Sequence, residues 1–144
     1  MDEFVVPGQP IPQGSMRHVG GGRIVSKNPK LKKWRERVAK VVTDQVGSPG
    51  YLEPVSVTVL FQLQKPESAK RDYPTVPPDL DKLQRAIGDA LSIDSGYLKD
   101  DAQIVEWHAT KQYGQPSVII RVVPLSKSYT KIAPKSGLKG TKPR

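Results

Sequence analysis

Apolar and polar residues recur along this chain with two alternating periods, and the changes of period mark its elements. Glu3 to Val6 reads as a short strand, and Pro7-Gly-Gln-Pro-Ile-Pro then breaks it. The stretch from Met16 to Val25 is glycine-rich, and Gly20 to Gly22 supply the positive φ angles of a turn. A small hairpin or flap is expected there, carrying Arg17, His18, Arg23 and Lys27. No Lys-Ser/Thr pair follows the glycines, so a plain turn fits better than a phosphate cradle. Asn28 has the chemistry of an N-cap and Pro29 that of a first helical residue. Leu31, Trp34, Val38, Val41 and Val42 then follow the helical period to about Gln45.

Val55 to Leu63 alternates again, as a half-buried strand. Lys65 to Pro78 is polar and carries Pro66, Pro74, Pro77 and Pro78, which makes it a loop. A second helix opens at Asp79 and runs to about Leu91, with Leu80, Leu83, Ile87, Ala90 and Leu91 toward the core. Ile93 to Lys99 reads as a turn region around Gly96. Ile104 to Gln112 and Ser117 to Val123 are two further strands, and the short link between them predicts an antiparallel hairpin. The fold class is α/β, as an α+β two-layer arrangement: a small mixed sheet of about four strands packed with two main helices.

A chain of 144 residues suits one domain, expected over residues 1–124. Residues 125–144 hold Lys127, Lys131, Lys135, Lys139, Lys142 and Arg144, and no acid. Lysines every fourth residue mimic a helix, but Pro134, Gly137 and Gly140 oppose one, so a disordered basic tail is expected. Without cysteine there is neither a disulfide framework nor a thiolate metal site. No apolar run approaches the roughly 20 residues of a membrane span, and Met-Asp-Glu does not open a signal peptide. A soluble protein of the cytoplasm, with no membrane partner, is expected.

Charge changes this picture. The net charge is +9, from 23 Lys+Arg against 14 Asp+Glu, which points to a polyanionic partner such as nucleic acid. The acids are concentrated: Asp79, Asp81, Asp89, Asp94, Asp100 and Asp101 lie within one short stretch. Acids that repel a phosphate backbone make sense if a divalent cation stands between them. A structural explanation competes. Aspartate caps helices and favours their first turn for about 0.3–1 kcal/mol. Asp81, Arg85 and Asp89, at four-residue steps, also suit ladder pairs along the helix. Neither accounts for Asp100 and Asp101 just before a strand, where aspartate is disfavoured. Magnesium takes hard oxygen ligands and keeps places for water and phosphate. Asp79 and Asp81 at a helix start, with an acid before a neighbouring strand, suit such an ion, and Arg85 suits a phosphate.

The run Pro78-Asp-Leu-Asp-Lys-Leu-Gln-Arg-Ala-Ile-Gly-Asp-Ala-Leu, followed by Asp100-Asp-Ala-Gln-Ile, resembles the RusA family of Holliday junction resolvases. Pro7-Gly-Gln-Pro-Ile-Pro-Gln-Gly-Ser and the Trp34 helix are similar more loosely, and the resemblance covers about residues 3 to 123. It implies an α/β homodimer, often phage-encoded, that nicks four-way DNA junctions symmetrically with magnesium, or manganese as a substitute. It places the catalytic, metal-binding acids on Asp79, Asp81 and Asp101. It places a catalytic lysine on Arg85, and supporting acids behind the ligands on Asp89 and Asp100. This chain departs from the pattern twice. Lys82 replaces an asparagine, setting a cation beside the acids. Arg85 replaces the lysine, keeping the charge but not an easily exchanged proton.

The expected function is therefore a magnesium-dependent, structure-selective endodeoxyribonuclease of DNA recombination and repair. Lys65, Lys70, Arg71, Lys82 and Lys111 are expected to contact the DNA backbone, with Arg17, Arg23 and Lys27 on the flap. Isolated histidines, His18 and His108, are expected to take no part in catalysis. Two other readings compete: a junction-binding protein whose departures mark a dead site, and a basic nucleic-acid-binding module of another family whose acids are only caps and ladder pairs.

Overall fold

The structure is a computed structural model that describes residues 1–14, 17–19, 23–25 and 28–126, with the backbone alone at 17–19 and 23–25. Its main sheet comprises β1 (Asp2–Pro7), β4 (Val55–Leu63), β5 (Ile104–Tyr113) and β6 (Ser117–Pro124), in the order β1-β6-β4-β5. β1 and β4 each run antiparallel to β6, while β4 and β5 are parallel, so the sheet is mixed. β2 (Arg17–Val19) and β3 (Arg23–Val25) form the small hairpin expected from the glycine run.

The anticipated hairpin between the last two strands does not form. β5 and β6 flank β4 on opposite sides. Alternate residues Val55, Val57, Val59, Phe61 and Leu63 of β4 are buried, and a strand so apolar gains most from a central position with both edges paired. The short connection after β5 therefore arches over the end of β4, where the Gly114 N–H donates to the Leu63 carbonyl at 3.0 Å. A Cβ on Gly114 would meet the end of the Gln62 side chain, which would have to swing aside.

Two helices cover one face of the sheet. α1 (Pro29–Gln45) begins at Asn28, whose side chain accepts from the Lys30 N–H as an N-cap does. It buries Leu31, Trp34, Val38 and Val42 against Phe4 and Val6 of β1 and the rest of one continuous core. α2 (Leu80–Asp89) buries Leu83, Ala86 and Ile87. Phe4 and Ile87 are wholly buried, and truncating such side chains costs about 2–5 kcal/mol. α2 closes near Leu91 as expected, but the chain winds on through a wider turn, Ala90–Asp94, in which the Ser95 N–H reaches back to the Ala90 carbonyl. Ser92 Oγ and Ser95 Oγ donate to the carbonyls of Gly88 and Leu91, which relieves the distorted ladder. Gly96, at φ 69°, ends it. No described helix is long and apolar enough to cross a membrane.

Candidate active site

The helical period sets Asp81, Gln84, Arg85, Gly88 and Asp89 on one stripe of α2. That stripe is one wall of an open cleft of about 390 Å³. Asp101, Ile104 and Trp107 form the opposite wall, and Gln13 closes one end. The helix meets this wall at Gly88, where an added Cβ would make ordinary contacts. A Cβ at Gly88 would stand 3.8 Å from Trp107 and 3.9 Å from Asp101.

Asp101 is presented by a single 3₁₀ turn, Asp101–Gln103, that precedes β5. Asp100 caps this turn: its Oδ1 accepts from the Ala102 N–H at 2.8 Å, while Gln103 Oε1 accepts from the Asp100 N–H. The amide of Gln103 donates to the carbonyls of Tyr51 and Glu53, which anchors the turn to the body of the protein. Asp100 therefore has a structural explanation that the sequence conceals, and Asp101 is the acid set on the cleft. Burial raises the pKa of Asp101, helped by a hydrogen bond with Asp100 and by the negative charges of Asp89 and Asp100.

Asp79 occupies the N-cap position of α2, yet its side chain makes no capping hydrogen bond. Its Oδ2 lies 3.6 Å from Lys82 Nζ, and it is not part of the cleft wall. The ladder of Asp81, Arg85 and Asp89 is not formed: Asp89 is held by Gln13 Nε2 at 2.6 Å and by Arg35 Nη1 at 3.5 Å. Asp81 and Arg85 are exposed on the cleft and pair with no described residue. Among the described residues, no three His, Asp or Glu side chains stand close enough together to hold a metal ion by themselves.

The expected DNA contacts are divided. Lys65 and Arg71 lie over the Tyr113 ring, at 5.7 and 5.9 Å from its centroid, and Arg71 Nε donates to the Tyr113 hydroxyl. Lys70 is exposed in the same loop. Lys111 Nζ is engaged by the carbonyls of Val76 and Pro78, so it fastens the loop that leads into α2. The side chains of Arg17 and Arg23, the whole of Lys27, and the proposed tail from residue 127 onward lie outside the described residues. His108 pairs with Thr58 on the sheet face away from the helices, 3.3 Å from Glu106, and so on the opposite face from its neighbour Trp107, which lines the cleft.

Gln13, Arg35 and Trp107 took no part in the sequence-level site. Gln13 meets Asp89 across 76 residues of chain, and no local pattern signals such a contact.

The family model for endodeoxyribonuclease RusA matches residues 7–123, and the chain belongs to that family. It is thus a nuclease of DNA by family. No curated protein matches the chain.

Proposed function

We propose that this protein resolves four-way (Holliday) DNA junctions by paired, symmetric nicks in recombination and repair, as a homodimer that requires magnesium. One observation carries this reading: two carboxylates with no basic partner among the described residues, Asp81 and Asp101, share a cleft with the unpaired cation Arg85. Hard carboxylate oxygens lining one cleft, one of them with its ionised form disfavoured, suit a dication. Magnesium commonly takes only one or two carboxylates, with water and substrate phosphate completing its shell. Asp81 and Asp101 would hold the ion, with Asp79, two residues before Asp81, as the third acid of the family pattern. Manganese, which accepts the same oxygen donors, would substitute.

When bound, the ion supplies a Lewis acid and a water of lowered pKa. The remaining work falls to this chain's own residues. Arg85 offers several N–H donors to the scissile phosphate and to the charge that builds on its oxygens. Ile104 and Trp107 give the cleft an apolar wall, which strengthens charge interactions beside it. Lys65, Lys70 and Arg71 hold the backbone of the arms, joined by Arg17 and Arg23 of the hairpin and by Lys27. Lys82 joins them from the start of α2, and Lys111 through the N–H that its bonds to Val76 and Pro78 leave over. A two-fold dimer matches the near two-fold symmetry of a junction and places two equivalent sites for paired cuts.

Incubating the protein with a synthetic four-way junction and magnesium tests this. Paired nicks near the branch point are expected, with little cleavage of linear duplex. Persistent binding without cleavage, across divalent ions, would sink the enzymatic reading.

A further inference from the structure

We infer that Gln13 is a positioning residue of the cleavage site, holding Asp89 on the cleft wall with Arg35 as its anchor. This rests on the nuclease reading above. Gln13 is only 8% exposed, and its side chain has a donor end and an acceptor end in opposite use. Nε2 donates to Asp89 Oδ2 at 2.6 Å, while Oε1 accepts from Arg35 Nη1 at 3.2 Å. Only one orientation of the amide satisfies both, because a carboxylate cannot donate and a guanidinium cannot accept. Arg35 is itself fixed: its Nε and Nη2 donate to the two oxygens of Asp94, at 2.7 and 2.9 Å. That bidentate pair, between α1 and the wide turn after α2, sets the guanidinium in one plane.

The rest of the Gln13 residue points the same way. Its backbone N–H donates to the Lys82 carbonyl at 2.9 Å, one residue from Asp81. Gln13 thus fastens both ends of the cleft-facing stripe of α2: the turn that carries Asp81 and the carboxylate of Asp89. Arg35 and Asp94 already tie α1 to the turn after α2 without it. Its side-chain bond to Asp89 adds order at the cleft itself. Asp89 is not itself a proposed ligand, but it lines the cleft with Asp101 and its charge bears on that carboxyl. Groups that support a metal site from behind its ligands typically change metal affinity or activity by about 10–100-fold when removed.

The test uses the full-length protein with two variants. Gln13→Leu removes both side-chain bonds. Gln13→Glu keeps the size and the acceptor toward Arg35 but sets a carboxylate against Asp89. Cleavage of a four-way junction is followed under single turnover, and magnesium is titrated against the melting temperature. Junction binding is measured in calcium. The expected result is a rate about 10–100-fold lower, with a similar rise in the magnesium needed for half the melting shift and junction affinity within about twofold. A residue that merely supports the fold would lower the melting temperature and leave the rate and magnesium midpoint alone. Rates and midpoints within about twofold of wild type in both variants would overturn the inference. If Gln13→Leu does not fold, the near-isosteric Gln13→Glu decides. If the wild-type protein shifts with magnesium but does not cleave, the nuclease reading falls while the magnesium midpoint still judges Gln13. A wild-type protein that neither cleaves nor shifts overturns both.

Discussion

Lys82 Nζ stands 3.6 Å from Asp79 Oδ2, across one turn at the start of α2. The lysine is one of two residues by which this chain departs from the family pattern, and the aspartate is the one of the three expected ligating acids that the cleft wall lacks. An ammonium beside a carboxylate competes with a dication for the same oxygens. Replacing Lys82 with Asn should therefore lower the magnesium concentration that gives half-maximal cleavage. Both side chains are about half exposed, so the pair itself contributes about 0–1 kcal/mol to the fold and melting should barely change. A magnesium titration of cleavage beside a melting curve checks both halves. An unchanged or higher magnesium requirement would show that Lys82 does not compete for the metal.

Asp101 carries the pH prediction. Burial chiefly, then the hydrogen bond with Asp100 and the charges of Asp89 and Asp100, raise its pKa above the ordinary 3.8. A carboxyl whose pKa is higher in the folded state favours folding when protonated. That contribution is fully present below the unfolded value and is lost as pH rises through the folded one. Metal-free Asp101→Asn should therefore melt higher than wild type near neutral pH, with the advantage vanishing below about pH 4, because an amide keeps a hydrogen bond to Asp100 without the charge. Cleavage should disappear. Melting difference curves against pH, recorded in chelator, measure this; a variant that melts lower throughout would refute it.

Asp100 should behave in the opposite way. It caps the turn that presents Asp101 and takes no place on the cleft wall. Asp100→Ala should cost about 0.5–2 kcal/mol of stability through the lost cap. Asp100→Asn or Ser, which restore an acceptor, should recover most of it. Cleavage at a temperature where the variants stay folded should remain within several-fold of wild type. Chemical denaturation and single-turnover assays separate the two adjacent acids, which sequence alone leaves indistinguishable.

Much of the scaffold could be read from the chain because local chemistry determines it. Asn28 and Pro29 start α1, the alternation in Val55–Leu63 makes β4, and two short strands pair on either side of the glycine run near residue 20. The last two strands were also legible, but not their pairing, since a short link looks the same whether it joins neighbours or crosses over β4. The site divided along a similar line. Asp81, Arg85 and Asp89 share a helical stripe, which spacing reveals. The roles of Asp100, as a cap, and of Gln13 and Arg35, as partners of Asp89, depend on contacts between distant segments. Asp79 is the instructive case. Its N-cap position was predictable, but the capping hydrogen bond expected of it is missing, and its pairing with Lys82 depends on a side-chain choice that no spacing dictates.

Arg85 gives the last prediction. It is exposed on the cleft, and no described residue neutralises it, so its substitution should leave the fold almost untouched, within about 0.5 kcal/mol. Its guanidinium is instead available to the phosphate as charge builds in the transition state. Removing one such donor typically costs about 10²–10³ in rate. Arg85→Ala should therefore cleave at least about a hundredfold more slowly than wild type, with junction affinity changed only severalfold. Arg85→Lys restores the cation and the residue type of the family pattern, but not the fork of donors. If charge at this position is what matters, Arg85→Lys should recover most of the rate. If two-point contact with the phosphate matters, it should remain close to Arg85→Ala. Single-turnover rates on one junction, with binding measured in calcium, distinguish these outcomes, and full activity in Arg85→Ala would remove Arg85 from the mechanism.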